Sequence, residues 1–466
     1  MKNKAIIAGF TTAVVLCTAC GVVEPINVDV PEVTQGDINE FFDHARSADG
    51  SEGKTEVQTE AQSSTTEPKP VLEQDPKPVE KPTGNSNMQN SAYILDKLYE
   101  DKKDNVLISP MSLNMALGMI ENGAAGDTKA ALDEFLGTED FNSTAKSIMD
   151  RYYGSIEDIK AAHEASESEW HEPVSAMNVS DSVWVSDKRT IVPSFKSTVE
   201  DIYKAEVSNI DTSNPEESAG KINSWCSDHT AGLIPEIITE DIIEPETSMV
   251  LVNTVYFNSS WLEEWYSKDG AFTDISGNRK DMEVIRNEVN SYYENDQATA
   301  FGMGYMNGLK FIGILPKTAG DFTASKIDVQ ALLDSDRSSE YDEIYGEMPR
   351  FKFETDNDIL KNTLSELGLS VIFDPVKAEF PDLVEMLPSE NTWVDDVIQK
   401  CTIDLDEYGT EASAATAVIM NMESMAMMPE KEPKIAEVIL DRPFMFAIVD
   451  PESGQVAFMG KVVNTD

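Results

Sequence analysis

Cys226-Ser-Asp-His229 puts a thiol and an imidazole three residues apart, a spacing that shares one face of a helix and could serve a zinc ion. A structural zinc takes four ligands, and beyond residue 20 no second Cys/His pair at ligand spacing exists; the other histidines, His44, His163 and His171, stand apart from it. The plainer reading is a helix that buries Trp225 and Cys226. Acyl transfer, zinc hydrolysis and nucleotide chemistry leave local signatures, and the chain has no GxSxG, HExxH, Walker loop or GxGxxG on a strand-to-helix turn. With 85 Asp and Glu against 36 Lys and Arg, acidic pairs occur everywhere, so none stands out as a general acid and base. Met420, Met422, Met425, Met427 and Met428 cluster as copper or redox ligands would, but flexible apolar filler, or bait for another protein's pocket, suits them better. The sequence therefore predicts no metal centre, no cofactor and no enzyme.

A formal charge of −49 repels phosphate backbones and anionic lipid, which excludes nucleic acid and electrostatic membrane binding as functions. Residues 1–20 read as a signal peptide: Lys2 and Lys4, then a mostly apolar run too short to span a bilayer. Its end, Thr18-Ala19-Cys20-Gly21, resembles a bacterial lipoprotein box that makes Cys20 the lipidated first residue; Cys17 stands where that box usually has leucine, and an ordinary cut after Ala19 is the alternative. The expected address is the bacterial cell surface, with the lipid anchor as the sole membrane contact. Residues 21–87 are rich in Pro, Glu, Ser and Thr and repeat an acidic-Pro-Lys-Pro element at 67–70 and 75–78. Such a segment cannot bury enough apolar surface to offset its ordering entropy and reads as a disordered tether, spanning roughly 45 Å as a coil. Two cysteines remain beyond the signal, Cys226 and Cys401, and their pairing is left open.

From residue 88 to 466 the composition is that of one globular domain. Apolar spacing predicts helices over 91–98, with Ser91 as a cap, and over 112–118 and 129–136. Strands are predicted over 180–185, 249–257, 310–315, 350–353 and 455–463. Helices gather early and strands late, so the expected class is α+β.

Five blocks, 105–128, 222–234, 251–265, 406–418 and 442–464, resemble motifs of the serpin family, in family order and spacing. The resemblance implies a serpin fold: three β-sheets, about eight or nine helices and an exposed reactive-centre loop. It also implies an activity. A serine or cysteine protease attacks the loop, which then inserts into the large sheet as a new strand and traps the protease covalently. The protein is expected to act as a monomer.

The residues agree with that mechanism physically. Beyond Glu407, one face of an inserted strand would carry Thr410, Ala412, Ala414, Thr416, Val418, Met420 and Met422, small first, apolar later and uncharged. The other face carries Glu411, Ser413, Ala415, Ala417, Ile419, Asn421 and Glu423, and Gly409 is read as a permissive pivot. A bulky or charged hinge would suit a non-inhibitory serpin serving as a surface binding module, which stays the alternative. Ser109, Ser112 and Asn253 match the cluster that controls sheet opening in the family, with Gln399 in place of its usual histidine. Lacking a titratable member, that cluster is expected to make opening less sensitive to pH near neutrality than a histidine would. Trp261 matches the tryptophan at the top of the sheet, where insertion begins.

By family spacing the cleaved bond is Glu423-Ser424, suited to a Glu-specific endopeptidase. Cleavage after Met422 or Met425 would suit elastase-, chymotrypsin- or subtilisin-like pockets. No Arg or Lys occurs between Gly409 and Glu430, which disfavours trypsin-like targets.

Overall fold

The large sheet has two long strands at its centre with both faces buried. The computed structural model describes residues 87–154, 157, 160, 161, 164, 175–230, 232–357, 359–385, 391–410 and 433–465. With strands numbered in chain order, the large sheet has the order β11 (Phe351–Asn357), β12 (Asp396–Leu405), β13 (Gly409–Thr410), β4 (Met249–Ser260), β2 (Ser175–Ser186), β3 (Glu206–Ile210). A second six-stranded sheet runs β1 (Val106–Ile108), β16 (Val456–Val462), β15 (Phe444–Val449), β9 (Lys310–Pro316), β8 (Ala298–Gly304), β7 (Ser291–Glu294). A four-stranded sheet runs β14 (Ile435–Ile439), β10 (Glu343–Pro349), β6 (Arg279–Glu288), β5 (Tyr266–Thr273). Eight α-helices complete the described residues: α1 (Asn87–Lys102), α2 (Pro110–Glu121), α3 (Gly126–Leu136), α4 (Asn142–Tyr152), α5 (Pro193–Ile202), α6 (Pro215–His229), α7 (Val329–Leu333) and α8 (Leu360–Leu364). The expected α+β class with three sheets holds.

Period two explains why the large sheet is covered on both sides. On β4, Leu251, Val255 and Phe257 enter the main core, while Val250 and Val252 turn the other way into a smaller cluster under α6. There α6 buries Ile222, Trp225 and Cys226, and Trp225 meets Trp184 of β2 edge-on at 6.1 Å. Such two-sided burial gives β4 an unbroken run of buried residues, whereas β12 alternates buried and half-buried positions.

The expected elements are present, most with longer bounds; β11 begins at Phe351 instead of residue 350, and β16 is one residue shorter at each end than expected. Ser91 is a correction: it lies inside α1, and its hydroxyl donates to the Asn87 carbonyl at 2.7 Å, satisfied by the preceding turn instead of capping. The cap that the sequence does provide is Ser109, ahead of Pro110 at the start of α2. The zinc pair dissolves. Cys226 is fully buried, and His229 stacks on Trp225 at 4.5 Å with Nδ1 2.8 Å from the Trp225 carbonyl oxygen. Cys401 faces the main core and Cys226 the opposite side of the same sheet, so both are free thiols.

Candidate functional site

The large sheet has a seam. Strands β4 and β12 are adjacent and parallel from Val250–Val255 against Asp396–Cys401, and their register stops there. Above it the chain turns back after β12, and Gly409 and Thr410 sit between the two strands, antiparallel to both. The seam is closed below and wedged open above by the two residues of β13.

Side chains and backbone sew this wedge in place. Trp261, just after β4, donates its indole N–H to the Asp406 carbonyl at 2.9 Å and its backbone N–H to the Tyr408 carbonyl at 2.9 Å. Trp265 donates its backbone N–H to the Glu407 carbonyl at 2.9 Å, and Glu407 pairs with Arg350 at 2.8 Å. The Asp406 carboxylate accepts from the backbone N–H groups of Tyr408 and Gly409, forming a tight turn. Burial pushes that carboxyl up to about 7 against those two bonds. Gly409 is needed for a reason other than pivoting: a Cβ there would lie 2.3 Å from the Ser259 carbonyl oxygen, so only glycine admits so close an approach. Thr410 is buried and its hydroxyl meets the Tyr305 hydroxyl at 2.7 Å, while the Tyr305 ring stacks on Trp261 at 4.2 Å. That places Thr410 on the inner face, in phase with the small and apolar positions that follow it in sequence.

Lower down, one level of the sheet is polar. Register aligns Asn357 of β11 with Gln399 of β12, Gln399 with Asn253 of β4, and Asn253 with Asp181 of β2. All four are at most 1% exposed and face the main core beside α2. Their amides donate in a single direction. Asn357 donates to Gln399 at 2.9 Å, Gln399 to the Asn253 side-chain oxygen at 2.8 Å, and Asn253 to Asp181. Asn253 also donates to Ser112, and Gln399 exchanges bonds with the Ser109 backbone at 2.9 and 3.1 Å. Ser109, Ser112, Asn253 and Gln399 are thus brought together as expected, and the Gln399–Asn253 bond crosses the seam itself.

Asp181 corrects the expectation that this cluster has no titratable member. It is fully buried, its second carboxylate oxygen has no hydrogen-bond partner, and burial pushes it up to about 7 against the single Asn253 bond. The signal was present in the sequence. Val179, Val183 and Val185 share its face of β2 and enter the core, so a carboxylate interrupts an apolar face. Asn357 ends the core-facing side of β11, where it follows the buried Thr355. The remaining hinge positions, Glu411, Ala412, Ser413, Ala414 and Ala415, lie outside the described residues. So do Met422, Glu423, Ser424 and Met425 around the expected bond, and Cys20. Among the described residues no group of three or more His, Cys, Asp and Glu side chains could hold a metal.

Comparison with known proteins adds to this geometry. A family model described as Serpin (serine protease inhibitor) matches residues 85–465. The rat leukocyte elastase inhibitor A is 26% identical over 396 residues, covering 80% of this chain and 97% of that protein. A serpin-like protein of Thermococcus kodakarensis is 29% identical over 396 residues, covering 83% of this chain and 86% of that protein. Among solved structures, the thermophilic serpin tengpin in its native state has a TM-score of 0.66 at 28% identity, covering 83% of this chain and 96% of that one.

Proposed function

The chain belongs to the serpin family, whose members are mostly inhibitors of serine proteases and not enzymes, and from that premise we propose that it traps its target by inserting the cleaved loop into the β4–β12 seam. One observation carries the reading: Gly409 and Thr410 already lie between β4 and β12, antiparallel to both, with Thr410 on the buried face. Continuing that strand would replace one parallel ladder by two antiparallel ones, a favourable exchange because parallel pairing is the weaker per residue. Nothing on the buried face of the sequence that follows opposes this before Pro429: it has no charge and no proline.

The target is a serine protease with an elastase-, subtilisin- or chymotrypsin-like pocket, or a Glu-specific endopeptidase, cut at Glu423-Ser424 or beside Met422 or Met425. Incubation of the intact protein with elastase-, subtilisin- and trypsin-like enzymes, followed by a denaturing gel, tests this. The expected result is a complex that survives denaturation with at least one of the first two and none with the trypsin-like enzyme. Nicked protein beside fully active proteases would instead leave a non-inhibitory surface binding module. The same reading makes Cys20 the lipidated first residue of a surface-anchored monomer. A mature N-terminal peptide beginning at Cys20 with diacylglycerol mass added is expected, and an unmodified peptide would contradict the anchor.

A further inference from the structure

Parting β4 from β12 breaks the Gln399–Asn253 bond, since these two residues face each other across the seam. The Asn253–Asp181 bond is on the other side of β4, where β2 and β4 are paired continuously from Ser175–Val185 against Met249–Ser259. Asp181 therefore moves with Asn253 when the seam opens, and leaves the packing beside α2 that keeps water away. In the closed sheet this carboxylate is the terminal acceptor of the amide row and is only half satisfied.

We propose that Asp181 is a positioning residue of the seam whose ionisation weakens the closed sheet, so that loss of its proton accelerates strand insertion. This rests on the insertion reading above. The sign follows from which effect dominates in the closed state. Two opposing influences act on Asp181: burial disfavours its charge and the Asn253 N–H favours it, and burial wins, because the carboxyl sits near 7 and not near 4. Opening admits water, lowers the proton affinity of the carboxyl, and so goes faster as pH rises toward the closed-state value, levelling off above it.

The groups around it do not reverse this. From β4 it meets the neutral Asn253 amide, and α2 contributes the Ser112 hydroxyl through that amide. The Tyr203 phenol, which follows α5, interacts with it and is held neutral by burial, with its hydroxyl donating to Asn142 of α4 at 2.9 Å. Glu121, at the end of α2, and Asp140 act on the same phenol, and Glu121 is ion-paired with Lys129 of α3. On β2 itself the neighbours are the hydroxyls of Ser180 and Ser182.

The experiment measures how fast a synthetic peptide, TEASAATAVIMNME, which copies residues 410–423, incorporates into the intact full-length protein between pH 5.5 and 8.5. Wild type is compared with Asp181→Asn and, as a second neutral variant, Asp181→Ser. Asp406 also titrates near 7 at the top of the seam, but it is present in every protein and cancels in the ratio of rates. The ratio of wild-type to D181N rate is expected to rise from pH 5.5 to about 7, by up to about tenfold per pH unit, and to level off above that. The ratio to D181S should rise in parallel. Ratios that are flat or fall with pH overturn the role of Asp181 while leaving insertion intact. Failure of the peptide to enter any of the three proteins overturns the insertion reading, and this inference with it.

Discussion

Thr410→Arg is expected to convert the protein from an inhibitor into a substrate. Thr410 is the first inward-facing residue of the inserting strand, is buried to 1% exposure, and bonds to Tyr305 beneath Trp261. A guanidinium in that place must either be desolvated among Tyr305 and Trp261 or hold the strand out of the seam. Burying an unpaired charge costs several kcal/mol, and every ~1.4 kcal/mol added to the insertion barrier slows it about tenfold. Attack on the loop takes place elsewhere in the sequence, so cleavage should continue at its normal rate. The partition between trapping and release then shifts by at least about tenfold toward release. Titration of a protease that wild type traps, read on a denaturing gel, should give cleaved variant and active protease with little complex. Thr410→Ser keeps the hydroxyl and should trap nearly as well as wild type. Trapping by T410R with unaltered yield would separate inhibition from the Gly409–Thr410 wedge.

How far the sequence discloses this site depends on which interactions are local. Of the expected hinge, the sequence discloses Thr410 because a strand writes its two faces into alternate residues, and Thr410, read on the inserting face, is buried. Trp261, Ser109, Ser112, Asn253 and Gln399 were legible by resemblance, and the structure brings the last four into one hydrogen-bonded cluster. Asp181 and Asn357 were not, because each belongs to the row only through register with a strand distant in sequence: Asp181 pairs with Asn253, and Asn357 with Gln399. A polar residue in the core-facing parity of an apolar strand was the available clue. Gly409 reads as a pivot from sequence alone, whereas the approach of Ser259 that demands a glycine there is a tertiary contact. Ser91 misled as a cap because a serine before an apolar-periodic run looks the same whether the helix begins there or one turn earlier.

Cleavage without trapping isolates the central claim from questions about the target. A protease that nicks the segment between Gly409 and Lys434 and is then removed leaves a protein whose loop is free to complete the sheet. Insertion would bury Val418, Met420 and Met422 along with the smaller residues before them. Those three side chains alone contribute about 5–9 kcal/mol. At roughly 2 °C per kcal/mol for a chain of this size, the melting temperature should rise by about 10 °C or more, with the antiparallel ladders adding to the shift. A loop that stays outside gains none of this. The deciding measurement is therefore the thermal unfolding of intact and loop-cleaved protein side by side: a rise of that size on cleavage is the predicted result, and an unchanged or lower melting temperature would contradict insertion into the β4–β12 seam.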